Sequence, residues 1–244
     1  MSQTMDTAFK RIGNEYGHSS FAPDPWAPAK TFKASRAYDK LIGLTILALV
    51  AGVAGWAVVP AGIAFLALIL AFGVVLVSWF KMGWARVLAP IYAVCEGVGL
   101  GAISGIYASV EFGIVPLAIV FTAGVFIGTL GVYRTGLVRV TPRMVSLVTI
   151  GAMGLIAVGL LSLFVALPIF NQSSPLWAIF GVLMLVIAVT SLLVDFDHVQ
   201  KAEAMRLPAE AEWASAFAMM TALVLVYLSI LRILLVFAGG GRRR

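Results

Sequence analysis

Apolar residues run through this chain in long unbroken stretches separated by short polar segments. Residues 41–80 carry no charge, and neither do residues 144–194. A bilayer core takes roughly 20 apolar residues per helix, so each run holds about two helices. Helix breakers divide them. Pro60-Ala61-Gly62 splits the first run into helices near 40–58 and 61–80. The segment Leu167 to Pro175 (LPIFNQSSP) splits the second into helices near 144–166 and 176–194. Further apolar stretches cover 88–108, 114–133 and 213–238, which brings the count to seven. The stretches are continuous rather than alternating, which is the pattern of helices and not of a membrane barrel. Lipid offers no partner to backbone polar groups, which forces the same choice. The fold class expected is all-α: a polytopic membrane protein with seven transmembrane helices. Its parts are a polar, Pro-containing cytoplasmic tail (1–36), the transmembrane domain (37–238) and a Gly/Arg tail (239–244).

Composition narrows the function classes. Hydrophobic residues make up 61% of the 244 positions and charged residues only 11%, against about a quarter charged in soluble domains. A soluble globular domain, a disordered chain and a disulfide scaffold are excluded. Cys95 is the single cysteine, and with two histidines it cannot build a His/Cys zinc site. The net charge of +6 suggests a nucleic-acid binder until its distribution is followed. The N-terminal 40 residues hold Lys10, Arg11, Lys30, Lys33, Arg36 and Lys40. Lys81 and Arg86 follow helix 2, Arg134, Arg139 and Arg143 follow helix 4, and Lys201 and Arg206 follow helix 6. The three opposite loops have none, so 13 bases face one side. That bias places the N-terminus in the cytoplasm and makes the lipid bilayer, not nucleic acid, the partner. Seven spans carry the terminal GGGRRR to the far side, against the same bias; a full crossing of helix 7 is the expectation.

The start of the chain lacks the pattern of a cleavable signal. It is polar and aromatic, with FAPDPWAPAKTF at 21–32, and reads as an extended solvated segment or a partner-binding arm. GVGLG at 97–101 lies inside an apolar helix, so a phosphate loop is a poor reading. Gly97, Gly101 and Gly105 share one face of helix 3 and suit close helix packing. Gly124, Gly128 and Gly131 are expected to act likewise on helix 4.

Charges in lipid are costly, so each one is a functional candidate. Glu96 sits inside helix 3, either as a neutral acid bonded to neighbouring backbone or as an ion or proton site. Asp195 and Asp197 are expected at the cytoplasmic end of helix 6. Two positions apart is about 200° on a helix, so one should face the bundle and the other the solvent or loop. Asp195 is the choice for the inward role, and Asp197 can pair with Lys201 one turn on. The segment 195–212 holds five acids and two bases, and such an acidic loop attracts cations to a pore mouth. His198 reads as a solvated histidine. Pro208 suits the first turn of helix 7, with Glu210 and Glu212 near its positive end. From there to Phe237 is about 45 Å of helix against a core of about 30 Å. Its first two to three turns are therefore expected outside the hydrocarbon, with Trp213 at the headgroups. Arg232 then lies roughly 22 Å deep, either paired with Glu96 or reaching back to the outer headgroups.

At these residues a family resemblance emerges. Helix 3 reads IYAVCEGVGLGAISGIY, helix 6 closes on LLVDFDHVQKA, and helix 7 reads EWASAFAMMTALVLVYLSILRIL. With seven spans, the chain resembles the Bax inhibitor-1/YccA family, most closely a branch with a DFD motif after helix 6. The likeness covers roughly 37–237. It implies a last helix surrounded by the other six and a pH-controlled passive calcium leak. That control is attributed to two carboxylates, one at the end of helix 6 and one in helix 7. The first falls on Asp195. The second falls on Ser229, which is no acid, so a two-carboxylate latch is incomplete here. Glu96 is the other carboxylate available, and Arg232 the basic partner.

The function expected is a pH-sensitive leak of Ca²⁺ or another cation through a multi-pass inner-membrane protein, with protons as the controlling ligand. Asp195 and Glu96 are the candidate ion ligands, and Asp197, Arg232 and Ser229 complete the gating set. No bound cofactor is expected. The rival reading is a non-conducting regulator of other membrane proteins, such as a membrane protease, linked to stress responses. An enzyme is not expected, because no nucleophile stands at usable spacing from a base.

Overall fold

The computed structural model describes residues 31–58, 60–110, 113–162 and 175–240. Within them the chain forms seven α-helices: α1 (Ala34–Val58), α2 (Ala61–Phe80), α3 (Ala85–Val110), α4 (Ile114–Arg134), α5 (Pro142–Ser162), α6 (Pro175–Ala204) and α7 (Ala211–Gly240). A 3-10 turn, Met82–Trp84, joins α2 to α3. All seven helices fall where the hydrophobic pattern places them. Five of them (α1, α3, α4, α6 and α7) are long and apolar enough to cross a membrane, while α2 and α5 supply the shorter apolar stretches Gly62–Ser78 and Pro142–Leu155. The protein is therefore a multi-pass membrane protein. The arm 21–30, most of the LPIFNQSSP break and the terminal arginines lie outside the described residues.

Helix ends follow local chemistry. Pro60 precedes α2 with an extended backbone, and Pro142 and Pro175 begin α5 and α6, where a missing N–H costs nothing. Helix α6 is the main departure from expectation. It continues ten residues past Val194 and closes at Ala204. There the Leu207 N–H donates to the Ala202 carbonyl (3.1 Å) and the Arg206 N–H to the Glu203 carbonyl (3.0 Å). This pair of bonds is a Schellman closure. Its left-handed position is occupied by Arg206, at φ 52°, in place of the usual glycine. Pro208 falls in the turn that follows, and α7 begins at Ala211, three residues later than the sequence suggests.

Inter-residue contacts divide the described chain into two compact units. One holds the chain up to Gly105 together with His198–Met220, and the other holds Ile106–Asp197 together with the chain from Thr221 onward. In the first unit α1 and α3 touch backbone to backbone. A side chain at Gly97 would overlap Ala48, one at Gly101 would overlap Gly52, and one at Gly55 would overlap Val98. Gly99 instead faces the side chain of Leu68 on α2, which a Cβ there would overlap. The helix 3 glycines thus act as close-packing contacts, although Gly105 makes only ordinary contact with Trp56. The corresponding expectation for α4 fails. Nothing lies within 4 Å of where a Cβ would stand on Gly124, Gly128 or Gly131, because no neighbouring backbone approaches that face.

In the second unit Gly151 of α5 meets Ile187 of α6 at 3.1 Å. Phe196 is fully buried, with its ring edge-on to Phe126 (centroids 5.5 Å) and tilted against Tyr133 (6.1 Å). Helix α7 buries Ala216, Phe217, Met219 and Met220 in the first unit, and Val224, Val226, Ser229, Leu231 and Leu235 in the second. By contrast α1, α2 and α4 leave Val53, Leu66, Val120 and Ile127 exposed, as faces turned to lipid do. Hydroxyls inside the helices bond to their own backbone, as in Thr45 to Leu41, Thr122 to Ala118 and Thr190 to Val186.

Candidate functional site

The DFD triplet is internal to α6, not at its end. Asp195 and Asp197 stand nine and seven residues before Ala204, about 13 and 10 Å by helical rise. Leu192, Leu193, Val194, Phe196 and Val199 are buried, whereas His198 and Gln200 are exposed, so this part of the helix is covered on most but not all sides. Asp195 and Asp197 are half-buried. Oδ2 of Asp195 is buried and meets no hydrogen-bond donor among the described residues. Oδ2 of Asp197 is buried too, and its Oδ1 accepts a bond from the Tyr133 hydroxyl of α4 at 3.4 Å. Asp197, expected to face the solvent or loop, has one oxygen buried and the other bonded to Tyr133. Tyr133, from the last turn of α4, closes over that side.

The predicted acidic loop 195–212 is corrected in the same way. Residues 195–204 are helical, and Glu203 and Glu212 are engaged by the start of α1. The Ala34 N–H donates to Glu203 Oε1 (3.3 Å) and the Lys33 N–H to Glu212 Oε1 (3.1 Å). Lys33 immediately precedes α1 and Ala34 is its first residue, at the end where backbone N–H groups lack helical partners and carboxylates are favoured. Lys40 Nζ reaches Glu212 Oε2 at 2.6 Å and Arg36 Nε reaches Oε1 at 3.3 Å. Glu212 is only 1% exposed. The approach is completed by the Phe32 N–H donating to the Leu207 carbonyl (2.7 Å), by an antiparallel bridge between Thr31 and Pro208, and by Lys40 over the Trp213 ring. The first turns of α7 are therefore packed against the start of α1 rather than projecting freely. Sequence reasoning missed this hub. The available signal was the i, i+4 spacing of Arg36 and Lys40, which puts two cations on one helix face.

Glu96 lies on α3 in the first unit, 8% exposed, one turn from the buried Tyr92. The Tyr92 ring stands edge-on to Phe217 of α7 at 5.1 Å. Arg232 lies on α7 in the second unit, half-buried, with its guanidinium 4.9 Å above the Phe180 ring and its Nη1 3.6 Å from Met184 Sδ on α6. Gly181 makes room there, since a Cβ would come within 3.3 Å of the arginine stem. Ser229 is fully buried and its hydroxyl donates to the Leu225 carbonyl at 2.6 Å. Among the described residues, no three or more His, Cys, Asp or Glu side chains gather as a metal-ligand group.

Chemically, the arrangement offers a solitary buried carboxylate oxygen on a spanning helix, a tyrosine-held second aspartate beside it, and a buried acid on another helix. No curated protein matches the chain. A sequence profile described as Bax inhibitor 1 like matches residues 14–239, which includes every described helix except the last residue of α7. The chain, with its helices in the predicted order and its DFD triplet in α6, belongs to the Bax inhibitor 1 like family.

Proposed function

We propose that this protein mediates a passive, pH-sensitive leak of cations, Ca²⁺ foremost, across the inner membrane, and that Asp195 is the group whose protonation sets the leak. The observation that carries the reading is the unpartnered, buried Oδ2 of Asp195 in a membrane-spanning helix. A carboxylate oxygen there is expensive unless protons or cations visit it, and oxygen donors suit a hard cation. Asp197, steadied by Tyr133, supplies a second carboxylate to the same stretch of helix. Glu96 is a further proton or ion site, and the N-terminus faces the cytoplasm by the charge bias of the loops. The protein acts without catalysing a reaction. Flux of Ca²⁺ into dye-loaded proteoliposomes, followed across pH, tests the proposal. Flux equal to that of empty vesicles at every pH overturns it.

A second reading is a non-conducting regulator that binds other membrane proteins. It is favoured by Ser229, which stands where the resemblance expects an acid and spends its hydroxyl on its own helix. In that case Asp195→Asn leaves vesicle flux at background, while cross-linking of the full chain captures a membrane partner.

A further inference from the structure

We propose that the turn joining α4 to α5 is a binding site for anionic phospholipid headgroups. Arg134, Arg139 and Arg143 are all exposed within ten residues. No aspartate or glutamate occurs between Glu111 and Asp195, so neither flanking helix carries a carboxylate to compensate them. The turn is a built element. The Thr135 N–H donates to the Gly131 carbonyl (3.0 Å), and Gly136 reverses the chain at φ 70°, a conformation suited to glycine. At the other end Thr141 caps α5, its carbonyl accepting from Met144 (3.0 Å) and Val145 (3.2 Å), with Pro142 as the first helical residue. Arg134 is thus fixed as the last residue of α4 and Arg143 as the second of α5.

Location selects the ligand. Helix α4 is apolar enough to span, so the turn that ends it lies at headgroup depth. Leu137, between Arg134 and Arg139 in the turn, is 80% exposed. An apolar side chain flanked by cations matches a surface that is anionic at the headgroup and apolar just below it. Guanidinium forks bind phosphate through paired N–H groups. Each basic residue near such a surface enriches anionic lipid by about fivefold. The site is independent of whether the protein conducts ions.

The test uses the full-length chain as Cys95→Ser with Leu137→Cys labelled by bimane, reconstituted in phosphatidylcholine vesicles. Brominated phosphatidylglycerol or brominated phosphatidylcholine is added at equal mole fraction as a quencher. The anionic probe is expected to quench several-fold more strongly. Arg134→Gln, Arg139→Gln and Arg143→Gln together remove the preference while leaving the thermal midpoint unchanged, and inorganic phosphate leaves it intact. Equal quenching by both lipids overturns the proposal, as does quenching by neither. Displacement by inorganic phosphate also overturns it, since the site then takes the free anion rather than the lipid.

Discussion

Lys40 Nζ stands 2.6 Å from Glu212 Oε2, joining the start of α1 to the start of α7 across 172 residues of sequence. Glu212 is 1% exposed, whereas the side chains of Lys40 and Arg36 are 21% and 36% exposed. That asymmetry sets the prediction. Removing Lys40 takes the shortest partner from a buried charge that keeps Arg36 and the Lys33 N–H, while removing the acid lets the cations turn to water. Lys40→Met and Glu212→Gln are each expected to cost about 1–3 kcal/mol. The double variant Lys40→Met/Glu212→Leu should cost less than the sum. Thermal unfolding in detergent measures all three, and strict additivity would show the pair to be incidental.

The glycine stripes of α3 and α4 are expected to behave oppositely. Gly101→Ala drives a methyl group into the Gly52 backbone, so α1 and α3 must separate, at about 2 kcal/mol or more. Gly128→Ala meets empty space and gains helix propensity worth up to about 1 kcal/mol. Side-by-side melting curves decide it; equal destabilisation by both would remove the assignment of α1–α3 as the close-packed pair.

Arg206 holds a left-handed backbone at φ 52°, which costs an L-residue roughly 1–2 kcal/mol. Arg206→Gly should therefore raise the unfolding midpoint, with a gain of about 1 kcal/mol. Arg206→Ala removes the same charge yet keeps the strain and should give no gain. If alanine stabilises as much as glycine, charge rather than backbone conformation is responsible.

Tyr133→Phe removes the hydroxyl that donates to Asp197 Oδ1 and should cost about 1 kcal/mol. Ser229→Ala should be close to neutral, because its hydroxyl serves only the Leu225 carbonyl of the same helix. A large loss for Ser229→Ala would mean that the serine has a role beyond its own turn.

For transport, Asp195→Asn imitates the protonated acid permanently. Its calcium flux is expected to be flat with pH and to match the wild type at the acidic end of the profile. Glu96→Gln should retain a pH-dependent profile. If Glu96→Gln is flat and Asp195→Asn is not, the titrating group has been assigned to the wrong helix.

Hydrophobic runs alone specified seven helices, their order and most of their ends, because lipid solvation and backbone hydrogen bonding act on each segment locally. The same runs marked Glu96, Asp195 and Arg232 as charges needing an explanation. What surrounds those charges was not legible. Helix periodicity turns Asp197 toward the solvent or loop and says nothing about a tyrosine 64 residues away. Glu212 was read as a helix-end acid, since the cations that hold it belong to a helix at the other end of the chain. Two glycine stripes with similar spacing turned out differently, one against a backbone and one against nothing. Sequence determined where the chain enters an apolar medium, a property of each segment by itself. Tertiary structure alone decided which polar groups find partners there, because a partner is set by which distant helix comes to lie alongside.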